Sequence, residues 1–356
     1  MSVKCAIITM TNSNVGNRLQ NYATQEVLKK HGLEPITIRN ITMLDKKKSV
    51  ANYAIRMMAS LIRRKDFVDT KNKENCFLRF NKNIHFSKLM FNWWFHGWAD
   101  NFDYYFVGSD QVWNPDYRLT EYDLCMFGNG RKVSFAASLG VDKLEPQATE
   151  KVKYALTSFD AISVREDKGK EILSGLTDKR IDVICDPTML LTQDEWLAVE
   201  RKPDQLDNEK YILLYFLGEI DEQLNIKIND FADSNKFVIY SLLDKKNPMY
   251  ETGPSEFIYL IRHSEMIITD SFHASVFSII FNKPFMVVER VDDKMQRMGS
   301  RLDTLLRKFN LENRKYSLGE DIASYFKIEN IRMINSILES ERSHAMRFLQ
   351  NAIQKK

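Results

Sequence analysis

ITDSFHASVFSIIFNKPF, from Ile268 to Phe285, is the stretch whose reading decides the fold. The apolar residues up to Thr269 read as the end of a buried strand, and Thr269, Asp270 and Ser271 form a polar corner. A helix follows, Lys283-Pro284 makes a turn, and Phe285 opens another strand. A helix N-terminus directly after a parallel strand offers unpaired N–H groups and the positive end of the helix dipole, which suit a carboxylate or phosphate. His273 in that first turn can give a proton to, or take one from, whatever is held there. The plainer alternative is that Asp270 or Ser271 caps the helix and His273 is a satisfied structural histidine.

Working outward, the same alternation runs along the whole chain. Strands are expected at Val3 to Met10, Pro35 to Arg39, Tyr104 to Val107, Lys132 to Ala136, Ala161 to Val164 and Ile181 to Cys185. A helix from Gly16 to His31, closed by Gly32, separates the first two. After the polar linker Glu200 to Lys210 the pattern restarts, with strands at Tyr211 to Leu217, Lys236 to Leu242, Met266 to Thr269 and Phe285 to Val288. Strands separated by helical patterns argue for parallel sheets, so the expected fold is α/β with two Rossmann-like domains facing a cleft. The expected division is 1–200, 208–326 and a C-terminal amphipathic helix in 327–356 that crosses back onto the first domain.

Composition sets wide limits. The 356 residues exceed what one core usually supports, and 44% hydrophobic with 28% charged residues is ordinary for a globular chain. A net charge of +3, without a basic, aromatic-interleaved module, does not point to nucleic acid. Cys5, Cys76, Cys125 and Cys185 are scattered, form no CxxC pair and stand near no histidine at metal spacing, so they read as reduced residues and no metal is expected. Met1 leads almost at once into VKCAIITM, which reads as the absence of a signal peptide, and no apolar run approaches the roughly 20 residues of a membrane span. The expected location is cytoplasmic.

Three further strand-end motifs carry chemistry-bearing side chains. NSNVGNRLQNYA, Asn12 to Ala23, puts Gly16 at a tight turn, Asn14 or Asn17 at a helix cap, and Arg18 and Gln20 in the first turn. GSDQVWNP, Gly108 to Pro115, sets Asp110, Gln111 and Asn114 at one rim, able to orient sugar hydroxyls, with Asp110 able to accept a proton and Trp113 able to stack on a sugar. The alternative there is a turn capped by Ser109 and Asp110 with Trp113 in the core. SVRED, Ser163 to Asp167, offers Arg165 as a bidentate anion ligand or as an ion-pair partner of Glu166, Asp167 or Asp186. SFAASLG at Ser134 ends a strand in small residues, and CDPTMLL at Cys185 ends another with Asp186.

Together GNRLQNYA, GSDQVWNP, SFAASLG, SVRED, CDPTMLL and TDSFHASVFSIIFNKPF resemble the polysaccharide pyruvyl transferase family, in the family's order and over roughly residues 5 to 310. Ala274 departs from the glycine often found there. The resemblance implies a GT-B-like fold and transfer of pyruvate from phosphoenolpyruvate, as a ketal, to a glycan of bacterial-type surface polysaccharide. That glycan is commonly lipid-linked. No cofactor is implied beyond the donor substrate. Strand-end position and family motif together assign His273, Asp110 and Arg165 to catalysis, and Asn17, Arg18, Ser109, Gln111, Asn114, Asp270 and Ser271 to substrate binding. A nucleotide-sugar glycosyltransferase, with Glu256 as ribose partner, and a catalytically silent glycan-binding module are the alternatives.

A lipid-linked acceptor implies work at the inner face of a membrane. Lys46, Lys47, Lys48, Arg56, Arg63, Arg64 and Lys65 surround Ile55, Met57, Met58, Leu61 and Ile62 in a basic amphipathic pattern suited to peripheral membrane contact. A solvated helix packed on its own domain has the same pattern. Phe91, Trp93, Trp94, Phe95 and Trp98 form an aromatic cluster, and the region from Lys46 to Phe102 is expected to set acceptor specificity.

Overall fold

The computed structural model describes residues 2–41, 64–91, 101–289 and 300–354. The basic stretch from Lys46 to Lys65 and the aromatic cluster from Phe91 to Trp98 lie outside the residues whose side chains are described. Among the described residues no helix is long and apolar enough to cross a membrane. The chain divides into two compact units, one of residues 1–68, 81–190 and 342–356, the other of 69–80 and 191–341.

The first unit is built on a seven-stranded sheet with every pair parallel, in the order β3-β2-β1-β4-β5-β6-β7. The strands are β1 (Val3–Ile8), β2 (Leu33–Ile41), β3 (Phe86–Phe91), β4 (Tyr104–Val107), β5 (Arg131–Ala137), β6 (Ala161–Val164) and β7 (Ile181–Val183). Sheets of this kind are covered on both faces, which is why β1 and β4 end in uninterrupted buried residues such as Ile7, Ile8, Phe106 and Val107. One core cluster joins Ala6, Ile8, Tyr105, Val107, Trp113, Phe159 and Ile162. Strand β3 was not among the expected elements.

Helix α1 (Val15–Lys30) is buried over most of its length, polar residues included. Gln25 donates to Thr37 Oγ1 (2.8 Å) and His85 O (2.9 Å), and Thr37 Oγ1 donates to Asn21 Oδ1 (2.6 Å). These bonds pin β2 and the start of β3 to the helix. Gly32, at φ +77°, turns the chain after the helix in a region that disfavours a side chain.

The second unit carries a four-stranded parallel sheet in the order β11-β10-β8-β9, from β8 (Tyr211–Tyr215), β9 (Val238–Ser241), β10 (Met266–Thr269) and β11 (Phe285–Val287). Its core gathers Ile212, Leu214, Ile228, Met266, Ile268 and Met286. Lys236, expected within a strand, instead closes the preceding helix in the left-handed region at φ 56°.

The division lies ahead of the polar stretch 200–210, and residues 69–80 group with the second unit. They belong to helix α2 (Arg64–Phe80). The reason is specific: Asn72 donates to Glu251 Oε2 (2.9 Å), and Arg79 pairs with the buried Glu256 at 2.5 Å. The C-terminal helix, Ile331–Gln354, has its last part grouped with the first unit. There Phe348 stacks on Phe135 (6.5 Å between centroids), Tyr104 donates to Ile353 O (2.7 Å) and Arg342 to Met189 O (2.6 Å).

Each sheet reverses its winding once, between β1 and β4 in the first unit and between β8 and β10 in the second. In open α/β sheets the crevice outside the carboxyl ends of the strands at such a reversal is where ligands bind. Gly108–Pro115 follows β4, and Asp270–His273 follows β10, so two of the expected motifs stand at the two reversals.

Candidate active site

In the first unit the carboxyl ends of β1, β4, β5, β6 and β7 are joined by one buried polar network. Gln20 of α1 donates to Thr9 Oγ1 (2.9 Å) and accepts from Ser109 N (3.1 Å). Ser109 Oγ lies 2.9 Å from both Ala136 O and Asp186 Oδ2. Asp186 also accepts from Thr188 N (3.0 Å) and Thr188 Oγ1 (2.7 Å). Arg165 reaches Asp186 with Nη1 (2.6 Å) and Asp110 with Nη2 (3.4 Å). Burial disfavours the Arg165 charge, and the carboxylates of Asp186, Asp110 and Glu166 more than offset this, so its pKa lies above the ordinary arginine value.

Asp110 is the member of this network that faces outward. Its φ of +60° is uncommon for a residue with a side chain, and such outliers cluster at functional positions. Oδ1 accepts from Gln111 N (2.9 Å) and from Arg165, while Oδ2 takes no hydrogen bond from any described residue. The preceding Gly108 is obligatory: at φ +126°, a Cβ would sit 2.3 Å from Phe135 O.

The neighbours of Asp110 are held in place by one another. Asn114 donates to Gln111 Oε1 and accepts from Asp116 N (2.9 Å). Trp113 is buried, packs edge-on against Phe159 at 5.6 Å and donates to Asp123 O (3.0 Å). The core reading of Trp113 is the one realised. Glu166 organises the loop after β5, accepting from Leu139 N (2.8 Å) and Ser138 Oγ (3.1 Å).

At the start of α1, Asn14 is the cap and accepts from Asn17 N (3.4 Å). The Asn17 amide donates to Asn12 Oδ1. Arg18 is buried and donates through Nη2 to Thr11 O (2.9 Å).

In the second unit Asp270 fastens the two strands that flank the reversal. Its oxygens accept from Leu217 N (2.7 Å) and Gly218 N (2.8 Å), in the loop after β8. Thr269 Oγ1 donates to Tyr215 O (2.5 Å) and accepts from Ser271 N (3.0 Å). The helix Phe272–Ile280 has Ser271 as N-cap, yet the Ser271 hydroxyl makes no capping bond. His273 is in the first turn, 7% exposed, with its ring edge-on to Phe272 at 5.4 Å.

Three expected substrate ligands therefore have structural duties. Ser109 is fully buried between Ala136 and Asp186, Asp270 is tied to main-chain N–H groups, and Asn114 is locked to Gln111 and Asp116. Arg165 forms the ion pair with Asp186 that the sequence offered as an alternative, and a second, longer one with Asp110. Asp186 and Gln20 emerge as the positioning residues; their strand-end and first-turn places were the only signal in the sequence.

The sequence model for polysaccharide pyruvyl transferase matches residues 14–292, most of the chain. The chain belongs to the polysaccharide pyruvyl transferase family. In this pyruvyl transferase family member the match runs from the cap of α1 past β11, and so includes the strand-end groups of both units. Similar solved structures include a UDP-GlcNAc 2-epimerase from Neisseria meningitidis bound to UDP-GlcNAc, 10% identical over 100% of both chains with a TM-score of 0.49. An S. aureus MnaA–UDP complex is 13% identical, covering 99% of this chain and 98% of that one, at a TM-score of 0.48. Acinetobacter baumannii MurG is 8% identical over 99% of both chains, at 0.42. At these identities and TM-scores the similarities carry no argument about activity. No curated protein matches the chain.

Proposed function

We propose that this chain transfers pyruvate from phosphoenolpyruvate to a sugar of a lipid-linked oligosaccharide, forming a cyclic ketal and releasing phosphate. The observation that carries this reading is that Asp110 and His273, in a chain of this family, stand at the winding reversals of two parallel sheets. The first unit is the acceptor side and the second the donor side.

The chemistry balances with groups of these types. The donor's methylene carbon takes a proton, making the neighbouring carbon electrophilic. One sugar hydroxyl adds to that carbon, the C–O bond to phosphate breaks, and a second hydroxyl closes the ring. Of the two hydroxyl protons, one replaces the proton given to the methylene and the other leaves with phosphate. Asp110 Oδ2 accepts a proton from an attacking hydroxyl, and Arg165 holds that carboxylate in position. The first turn after Ser271, whose hydroxyl makes no capping bond, binds an anionic group of the donor, and His273 protonates the methylene or partners the phosphate.

The glycosyltransferase alternative has less to work with. Glu256, its ribose partner, is buried and engaged by Arg79 (2.5 Å) and Gly253 N (3.0 Å).

The test is to supply phosphoenolpyruvate and a panel of lipid-linked and synthetic glycosides, then look for a product one pyruvate ketal heavier together with free phosphate. Tight binding of a nucleotide sugar with no effect of phosphoenolpyruvate would overturn the reading. With an acceptor in hand, Asp110→Asn is expected to lower kcat by about 10²–10⁴-fold, the usual loss when a general base is removed. Asparagine tolerates the left-handed backbone at this position, so the fold is retained. A full rate in that variant removes the base role from Asp110.

A further inference from the structure

Arg18 is 6% exposed, yet its Nε and Nη1 make no hydrogen bond and no carboxylate pairs with it among the described residues. Only Nη2 is used, on Thr11 O at 2.9 Å. A buried guanidinium left in this state is costly, because both water and counter-charge have been removed from it. Its surroundings add positive charge instead of cancelling it. Arg39, on β2, lies close enough that burial and its charge together push Arg18 down to about 10, still a cation at neutral pH. The guanidinium carbons of Arg18 and Arg39 each lie 5.5 Å from the centroid of the Phe86 ring, so both groups contact one aromatic side chain. Arg18 is itself in the first turn of α1, a 16-residue helix with no acidic residue in that turn. Two guanidinium groups, one of them at the positive end of a helix, thus share one aromatic neighbour with no carboxylate paired to Arg18 among the described residues, and what would complete the set is an anion.

We propose that Arg18, Arg39 and the first turn of α1 form a binding site for a phosphate-class oxyanion. The parallel donor pairs of a guanidinium are Nε with Nη2 and Nη1 with Nη2; Thr11 O takes one hydrogen of Nη2, so its other hydrogen and the unpartnered Nε or Nη1 beside it make a two-donor face that matches two oxygens of a phosphate. The site lies where β1 gives way to α1, at the same winding reversal as Asp110, with Asp110 on the β4 side and Arg39 on the β2 side. Resting on the assignment of this unit to the acceptor, the phosphate is one carried by the acceptor, such as the diphosphate that joins a glycan to its lipid. Phosphate of the donor is the other source of the same chemistry.

Titration calorimetry with inorganic pyrophosphate and, separately, phosphoenolpyruvate distinguishes the two. The proteins are the full chain and its Arg18→Met and Arg39→Gln variants. Arg18→Met keeps the buried stem and removes the charge, and is expected to weaken pyrophosphate binding at least tenfold while phosphoenolpyruvate binding changes less than twofold. Arg39→Gln, at an exposed position that leaves the core untouched, is expected to weaken pyrophosphate about threefold. Loss of phosphoenolpyruvate binding alone would overturn the assignment to the acceptor and give the site to the donor. Pyrophosphate binding that is absent, or unchanged in both variants, would overturn the site. A melting temperature unchanged or raised in Arg18→Met is expected, since an unpaired buried charge is removed; a lowered one together with unchanged anion binding would mark the arginine as structural. These are binding measurements, so failure of the pyruvyl transfer assay leaves a positive result standing and the two readings fail separately.

Discussion

Replacing His273 by alanine is expected to lower turnover about 10³-fold or more, a barrier increase of about 4 kcal/mol, while the chain stays folded. The argument rests on position. The first turn after β10 has Ser271 as its cap residue, whose hydroxyl makes no capping bond, and in the proposed reading this turn takes the anionic donor. His273 is the titratable side chain of that turn, 7% exposed, with its ring edge-on to Phe272. Steady-state kinetics read against a thermal melt decide the matter. A fall in kcat and kcat/KM together marks a contact made in the transition state, and a rise in KM for phosphoenolpyruvate alone marks a ground-state ligand. Near-normal turnover in a folded variant would sink the assignment.

The second large effect is on stability. Asp186→Ala is expected to destabilise the first unit by about 3–5 kcal/mol, the usual result of stripping the partner from a buried charge. Arg165 has a side chain 1% exposed and would lose its 2.6 Å contact, leaving Asp110 at 3.4 Å as its remaining ion-pair partner among the described residues. Ser109 Oγ and both donors of Thr188 would lose an acceptor at the same stroke. Removing both charges in Asp186→Leu with Arg165→Met is expected to recover much of the loss, because an apolar pair has no desolvation to repay. Denaturant midpoints for Asp186→Leu, Arg165→Met and the double variant measure the coupling. A midpoint unmoved in Asp186→Ala would show that the buried pair does not hold the strand ends together.

Much of this was legible in the chain itself. The apolar strands at Tyr104–Val107, Ala161–Val164 and Met266–Thr269 fall where expected because both faces of a parallel sheet are covered, which demands uninterrupted apolar runs. Strand β3 escaped notice because FSKLMF, with serine and lysine inside it, has no such run; its register comes from Gln25 and Thr37 across the fold. Lys236 looked like strand and proved to be a helix cap, since a left-handed residue leaves no pattern in the neighbouring apolar residues.

What the sequence by itself determined about this protein is its α/β class, its family and the set of polar residues that follow the strands, because side-chain periodicity and motif spacing are local properties. Only the tertiary structure decided which of those residues are committed to one another. Ser109, Asp270 and Asn114 are hydrogen-bonded within their own units, while Asp110 Oδ2 and the Nε and Nη1 of Arg18 have no hydrogen bond among the described residues. The physical reason is that a polar side chain at a strand end serves either the protein or a ligand, and the choice depends on whether a partner from 21 residues away, as between Arg165 and Asp186, or from 89, as between Gln20 and Ser109, arrives within hydrogen-bond reach.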